Sequence, residues 1–507
     1  MPSTTTDPTR EPPAPIAPET WAAVKRVHLM GICGSAMGAL AAMLAKKGYE
    51  VRGSDASPYP PMSDFLAARG IPVARGYDDP SVLDWGPDVV VVGNVIRPTY
   101  AEAIAMRARG LPHASLPETL TALFLGDKIP VVVTGTHGKT TTSSMTAWLL
   151  ECAGLAPSFF IGGVAGNWSS NHYLGTGAHM VVEGDEYDTA FWDRGAKFFH
   201  YKPFIASINN LEMDHADIFA DVDAIERTFT RFAALVPTGG RLIVPAAEER
   251  AQRAASASSA ARWSTGMGAS PEADIAALAI TPHPDGTHFQ LQLPGVAQIP
   301  IDLPLPGRHN VMNALVAAGL AFAAGADPAT FPAAFASFVL PYKRLTLRGE
   351  AAGIPIIDDF AHHPTAIAAT IDAVRQRYPD KRMVALFEAQ SNTARRRVFQ
   401  EGFGEALAKA DKVYFKKSLE KASDPLPPEQ RLDLGELCES LVRRGVPAIV
   451  VPEVGELADT VVADAHPNDD VILVMSGRNF EGVHQLLLDR LARIPSTKAS
   501  VRAGEVR

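Results

Sequence analysis

"VVVTGTHGKTTTSS", running from Val131 to Ser144, is the stretch that decides how this chain folds. Three consecutive valines read as a strand buried on both faces, as in a parallel sheet. The strand ends in Gly135-Thr136-His137-Gly138-Lys139-Thr140, and a helical stretch from Ser143 to Cys152 follows. Strand, glycine loop, lysine and helix N-terminus form a layout that cradles phosphate on backbone N–H groups. The spacing is G-x-x-G-K-T, shorter than the common phosphate loop, because Val133 stands where that pattern has its first glycine. The chemistry survives the shortening. Gly135 and Gly138 let the backbone approach an anion, Lys139 supplies a point charge, and a threonine hydroxyl can ligate Mg2+. The competing reading is a tight strand-to-helix turn with an incidental lysine.

Outward from this loop, a chain of 507 residues has room for two to four domains. With 47% hydrophobic and 20% charged residues it can bury several cores. A formal charge of −9 argues against a sequence-independent nucleic-acid binder, whose footprint would be basic. Cys33, Cys152 and Cys438 are far apart and form no CxxC, which suggests neither a disulfide framework nor a zinc knuckle. No apolar run approaches membrane-spanning length, and residues 1–20 lack the pattern of a signal peptide. The expectation is a soluble cytoplasmic protein with no membrane or nucleic-acid partner, a disordered tail at 1–25 and a tail at 496–507.

Before the loop, Arg26 to Met30 reads as a strand. It leads into Gly31, Gly34 and Gly38, a helix from Ala39 to Lys47, a strand from Tyr49 to Arg52, a helix near Ser63 to Ala68 and the buried strand Val89 to Val92. That is βαβαβ, a Rossmann-like half spanning 26–126. Its glycines are spaced G-x-x-G-x-x-x-G, and Asp55 sits near where a dinucleotide's ribose partner would be. NAD, another nucleotide and plain helix–strand packing all remain open here. The loop opens a larger α/β unit, 127–338. A third α/β unit, 339–495, alternates through a strand at Ile354 to Ile357, a helix from Thr365, a strand at Met383 to Phe387 and a last strand at Val471 to Met475.

The chemistry-bearing residues concentrate at strand ends. After Met180-Val-Val come Glu183, Asp185, Glu186 and Asp188, acids that would repel one another unless a cation were present; a solvated acidic loop is the alternative. Asn209 to Asp217 places His215 beside Glu212, Asp214 and Asp217. Oxygen ligands with one imidazole, next to phosphate, suit Mg2+ or Mn2+ better than zinc. Asn310 and Asn313 open a helix one turn apart and can hydrogen-bond a base edge, or Asn310 can cap that helix. The third unit offers Lys343-Arg344 and Asp358-Asp359-Phe-Ala-His362-His363, able to close over a nucleotide. Its Glu388-Ala-Gln390-Ser391-Asn392-Thr393 loop falls at a sheet's carboxyl edge, where substrates bind.

GTHGKTTT, EGDEYD, NLEMDHADIF and GRHNVMNA, in this order, resemble the central-domain signatures of the Mur ligases, the ATP-dependent amide-forming family of peptidoglycan synthesis. The resemblance runs from about Val27 to Leu491. It implies three domains: a Rossmann-like N-terminal domain, a central P-loop ATPase-like domain and a Rossmann-like C-terminal domain. It also implies an acyl-phosphate mechanism with ATP and Mg2+ (or Mn2+). On matching positions, Gly135, Thr136, His137, Gly138, Lys139, Thr140 and Thr141 would wrap ATP, Lys139 stabilising the transferring phosphoryl group. Thr140, Glu183 and His215 would hold the metal. His309, Asn310 and Asn313 would read adenine, and Arg344 and Asp358 would reach over from the third domain. Gly31, Ser35, Ala36, Met37 and Asp55 would hold the UDP-sugar, and His363, Gln390, Ser391, Asn392 and Arg478 the acceptor.

Within the family, HLMGICGSAMGALA resembles the branch that adds L-alanine to UDP-N-acetylmuramate. GSDASPYPPMSDFL, DDFAHHPT and SNT resemble the branch that adds the tripeptide L-alanyl-γ-D-glutamyl-meso-diaminopimelate in recycling. Two departures bear on this choice. Gln390 stands where the recycling branch has arginine, and Ser476-Gly477-Arg478 replaces Ser-Asn-Gly. No lysine occurs between Lys202 and Lys343, so the carbamylated lysine of some branches has no counterpart. The reading favours the tripeptide, with L-alanine as the alternative and oligomeric state open. A nicotinamide oxidoreductase and a non-catalytic nucleotide-binding regulator are the rivals from other classes.

Overall fold

The structure is a computed structural model that describes residues 11–268, 273–417 and 425–494. The expected tails at 1–10 and 496–507 lie outside the described residues. The rest of the first tail is not free chain. Pro18–Ala23 is a short helix, Ile16 and Trp21 pack against the core, and Val24 is buried. These three apolar side chains account for the docking.

Three sheets follow one another along the chain. The first has five parallel strands in the spatial order Val73–Arg75, Glu50–Asp55, Arg26–Met30, Val89–Val92, His113–Ser115. Helix Ser35–Lys46 covers one face with a run of small apolar residues. The fit is close enough that a Cβ on Gly38 would stand 2.4 Å from Met62 Sδ.

The central sheet has ten strands. Ile129–Thr134 lies in its middle, paired in parallel with His179–Glu183 on one side and Ile205–Ile208 on the other. Arg241–Pro245, Ala261–Met267 and Ile275–His283 continue the parallel run, and antiparallel strands finish both ends. The register sets Val133 against both Glu183 and Ser207, so three strand ends stop side by side. This is the reversal point where α/β sheets bind ligands. Helix Lys139–Cys152 starts four residues earlier than its apolar pattern suggests, taking in the threonine run. Helix Arg308–Ala323 packs against it. It begins after Gly307, whose φ of +95° favours glycine, so Asn310 lies inside the helix and is not its cap.

The third sheet has six strands in the order Thr346–Ala351, Ile354–Asp359, Asp470–Ser476, Arg382–Glu388, Lys412–Lys416, Ala448–Val451, all parallel except the first. Ile354–Asp359 and Asp470–Ser476 are buried at every position, as strands covered by helices on both faces must be.

Candidate active site

Gly135 (φ +127°) and Gly138 (φ +79°) turn the chain from strand to helix. Neither has room for a side chain: a Cβ would lie 2.9 Å from Asn209 N at Gly135 and 2.4 Å from Asn313 Oδ1 at Gly138. The loop is held from the neighbouring strand end. His137 N–H donates to Asn210 Oδ1 (2.7 Å), Thr136 N–H to Asn210 O (3.0 Å) and Glu212 N–H to Thr136 Oγ1 (3.0 Å).

Lys139 curls back over the loop. Its Nζ donates to Gly135 O (2.7 Å), Thr136 O (3.2 Å) and Glu186 Oε1 (2.9 Å). The same Glu186 oxygen meets His215 Nε2 at 2.8 Å. Burial would raise the Glu186 carboxyl, but Lys139 and His215 hold it below the usual range. The converse holds for His215, where burial is outweighed by Glu186 and Asp214 and the pKa rises. Beside this group, Thr140 Oγ1 donates to Glu183 Oε1 (3.1 Å) and Gly162 N–H to Glu183 Oε2 (2.8 Å). Burial pushes the Glu183 carboxyl up, against the pull of Lys139. Thr140 and Glu183 are therefore neighbours, whereas His215 is turned toward Glu186.

The third domain reaches into this cluster. Thr393 Oγ1 accepts from His215 N–H (3.1 Å) and donates to Asp214 Oδ1 (2.7 Å), and Asn392 Nδ2 donates to Asp217 Oδ2 (2.8 Å). His215 itself has φ +50°, a left-handed conformation costly for a histidine and kept by these bonds. Arg344 lies over the Phe360 ring at 4.9 Å, close enough that its charge acts on Glu183 and Asp359 and depresses His309.

Two neighbouring pairs of residues in the third domain divide between different surroundings. Asp358 does not accompany Arg344: it faces the opposite side of the sheet, 3.1 Å from His484 Nε2. Asp359 faces Arg344's side, accepting from Leu345 N–H and Ala361 N–H, both at 2.8 Å. Adjacent residues on a strand point to opposite faces, which separates the two carboxylates. Likewise His363 sits at the domain seam against Met213 O (3.0 Å), while His362 lies beside Gly477 and Ser391.

On the other side, Asn313 Oδ1 accepts from Thr142 Oγ1 (3.3 Å) just behind the loop. Asn310 is buried deeper, with its Nδ2 donating to Pro306 O (2.8 Å). Next to them, burial and Arg344 lower His309 to about 4. In the first domain, Gly31 has φ +82°, and its N–H and that of Ile32 donate to Ser54 O. Asp55 accepts from Cys33 N–H (2.9 Å) and Ser57 N–H (3.2 Å), so its carboxylate braces the glycine loop. Ser35 faces the second domain through Asn171 Nδ2 (3.3 Å), Ala36 is part-exposed, and Met37 is buried against Gly93.

At the third sheet's carboxyl edge, Gln390 Nε2 donates to Glu388 Oε1 (3.3 Å) and Ser476 Oγ to Glu388 Oε2 (2.9 Å). Arg478 N–H donates to that same Ser476 oxygen (3.0 Å), and Lys343 Nζ donates to Arg478 O. Gln390 and Arg478 therefore flank one buried glutamate. Ser391 Oγ accepts from Ala394 N–H (2.9 Å) and shapes the loop between them.

Three family descriptions match in sequence: the Mur ligase family catalytic domain at 26–127, the Mur ligase middle domain at 133–321 and the Mur ligase glutamate ligase domain at 343–478. The chain belongs to the Mur ligase family. It is 39% identical to the UDP-N-acetylmuramate–L-alanyl-γ-D-glutamyl-meso-2,6-diaminoheptandioate ligase of Escherichia coli K12, over 92% of this chain and 98% of that protein. To the enzyme of the same name from Haemophilus influenzae it is 37% identical, over 92% and 99%. Among solved structures, the murein peptide ligase of Psychrobacter arcticus 273-4 superposes with a TM-score of 0.70 at 33% identity, covering 93% of this chain and 99% of that one.

For this Mur ligase, Glu186, Asn210, Glu212, Asp359 and Thr393 carry contacts although none of them is among the expected site residues. All five lie inside the motifs that carry the family resemblance, EGDEYD, NLEMDHADIF, DDFAHHPT and SNT, and the spacing of those motifs does not say which of their residues meet. Among the described residues, no helix is long and apolar enough to cross a membrane.

Proposed function

We propose that this Mur ligase joins UDP-N-acetylmuramate to the tripeptide L-alanyl-γ-D-glutamyl-meso-diaminopimelate, in the cytoplasm, with ATP consumed to ADP. The observation that carries the acceptor choice is the end-to-end identity of 37–39% to two enzymes named for that tripeptide. Relatives named as UDP-N-acetylmuramate–L-alanine ligases stand at 33–35%, that of Acidothermus cellulolyticus at 33%.

In this reading the muramate carboxylate attacks the γ-phosphorus of ATP and ADP leaves, giving an acyl phosphate. The alanyl amine then attacks the acyl carbon, phosphate departs, and the nitrogen loses a proton to become the amide. Lys139 would leave Glu186 for the transferring phosphoryl group, neutralising charge as it moves. Arg344 would approach from the third domain and exclude water as the domains close. Glu186 would keep His215 oriented in the meantime. Gly31, Ser35, Ala36 and Met37 would position the UDP-sugar, with Asp55 setting the loop.

The residues present fit a divalent ion. Thr140 and Glu183 are adjacent oxygen donors, and the buried atoms Glu186 Oε2 and His215 Nδ1 have no hydrogen-bond partner among the described residues. Thr140 and Glu183 would hold Mg2+, with His215 joining once Glu186 releases it. The ion would supply charge neutralisation for the phosphates.

The test is phosphate release with ATP and UDP-N-acetylmuramate, compared across L-alanine, dipeptides and the tripeptide. A higher kcat/KM for the tripeptide supports the reading. Preference for L-alanine overturns it.

A further inference from the structure

We propose that His137, Glu212 and His363 form a site for a borderline transition-metal dication such as Zn2+, pinning the third domain onto the phosphate loop. The site is distinct from Thr140 and Glu183 and does not depend on which acceptor the enzyme uses.

The three residues come from separate segments. His137 lies in the phosphate loop, Glu212 follows the strand Ile205–Ile208, and His363 immediately precedes the third-domain helix Pro364–Arg377. One nitrogen from each imidazole and one carboxylate oxygen lie within 4.8 Å of one another. Glu212 Oε2 is 3.1 Å from His137 Nε2 and 3.5 Å from His363 Nδ1. A tetrahedral ion with bonds of about 2.0–2.1 Å sets its ligands about 3.3 Å apart, so two of the three edges already have the required length.

The polarity of the contacts favours a cation. His363 Nε2 faces Met213 O at 3.0 Å, and a carbonyl only accepts, so the proton is on Nε2. Nδ1 therefore presents its lone pair. Its hydrogen-bond donor, Thr365 N–H, is distant at 3.4 Å, and the nearby Glu212 oxygen carries lone pairs of its own. The same Glu212 oxygen hydrogen-bonds His137 Nε2 at 3.1 Å, so an ion entering here would replace the proton between them and also draw the His363 lone pair onto itself. An imidazole whose other nitrogen donates to a backbone carbonyl is the arrangement that orients metal-bound histidines. Thr365 Oγ1 donates to Glu212 Oε2 at 2.6 Å and orients the carboxylate in the same way.

Two imidazoles and one carboxylate suit Zn2+, whereas Mg2+ prefers an octahedron of oxygens. A metal here would tie the domains at the point where Thr393 and Asn392 already cross, and would favour the closed arrangement.

The test is calorimetric titration of chelator-treated full-length protein with Zn2+, without nucleotide and in excess Mg2+. A His288→Ala background removes the second histidine cluster, His283, His288 and Asp302, which lies on a more exposed hairpin. One equivalent of Zn2+ should bind and raise the melting temperature. Glu212→Gln, nearly isosteric, and His363→Gln should each weaken binding at least tenfold and abolish the shift. No Zn2+ equivalent in the parent, or unchanged affinity in both variants, overturns the site.

Discussion

Replacing Lys139 by alanine separates the two jobs its ammonium performs. In the structure the charge is spent on Glu186, with 13% of the lysine side chain and 3% of the glutamate side chain exposed. At 2.9 Å and an effective dielectric near 20, their gross attraction is about 6 kcal/mol. Much of that offsets desolvation, and His215 remains beside Glu186 at 2.8 Å after the lysine is gone. The net loss of stability should then be about 3 kcal/mol, the lower end for breaking a buried pair. Turnover should fall by a factor of about 10²–10³, because a donor aimed at developing charge is worth about 3–4 kcal/mol. UDP-N-acetylmuramate binding, assigned to the first domain, should be nearly unchanged by calorimetry. The decisive comparison is the double variant Lys139→Ala/Glu186→Gln. Removing the stranded carboxylate should restore about 2 kcal/mol of stability in urea unfolding, while phosphate release stays down. If phosphate release recovers along with stability, Lys139 serves only to neutralise Glu186 and the phosphoryl role is refuted.

Thr393→Val removes one hydroxyl that both donates to Asp214 and accepts from His215, and should cost about 2 kcal/mol of coupling between the second and third domains; a rise in KM for ATP larger than the fall in kcat is the expected signature, and unchanged kinetics would show that the bridge is incidental. Arg478→Ala should raise the tripeptide's KM several-fold with little effect on ATP, because Arg478 makes no side-chain ion pair among the described residues and flanks the same glutamate as Gln390. Gln390→Arg should then be neutral or mildly helpful, and a tripeptide KM indifferent to Arg478→Ala would end the proposed exchange. His309 is depressed to about 4 in the folded protein against 6.5 as the ordinary value, so the unfolded chain binds the extra proton between these limits. Stability from this group is complete above pH 6.5 and declines as pH falls toward 4, by up to about 3 kcal/mol; His309→Gln should flatten that slope in urea midpoints, and an unaltered slope would refute the assignment.

The three α/β units, the phosphate loop at the start of the second and the strand-end acids are legible in the chain without coordinates, because buried parallel strands and glycine turns are local patterns. A run such as VVVTGTHGKT admits few other conformations, and the following strands carry their acids at their carboxyl ends. The choice between neighbouring residues was decided only by the tertiary structure. Whether Asp358 or Asp359 faces Arg344, and whether His362 or His363 meets the second domain at Met213, depends on which side of the third sheet packs against that domain. Pairing across the seam was equally out of reach: Glu186 meets Lys139 across 47 positions, and Thr393 meets Asp214 across 179. Such contacts form only when strands distant in sequence stop side by side or when two domains close. They are the long-range terms of the fold, and no local period in the chain encodes them.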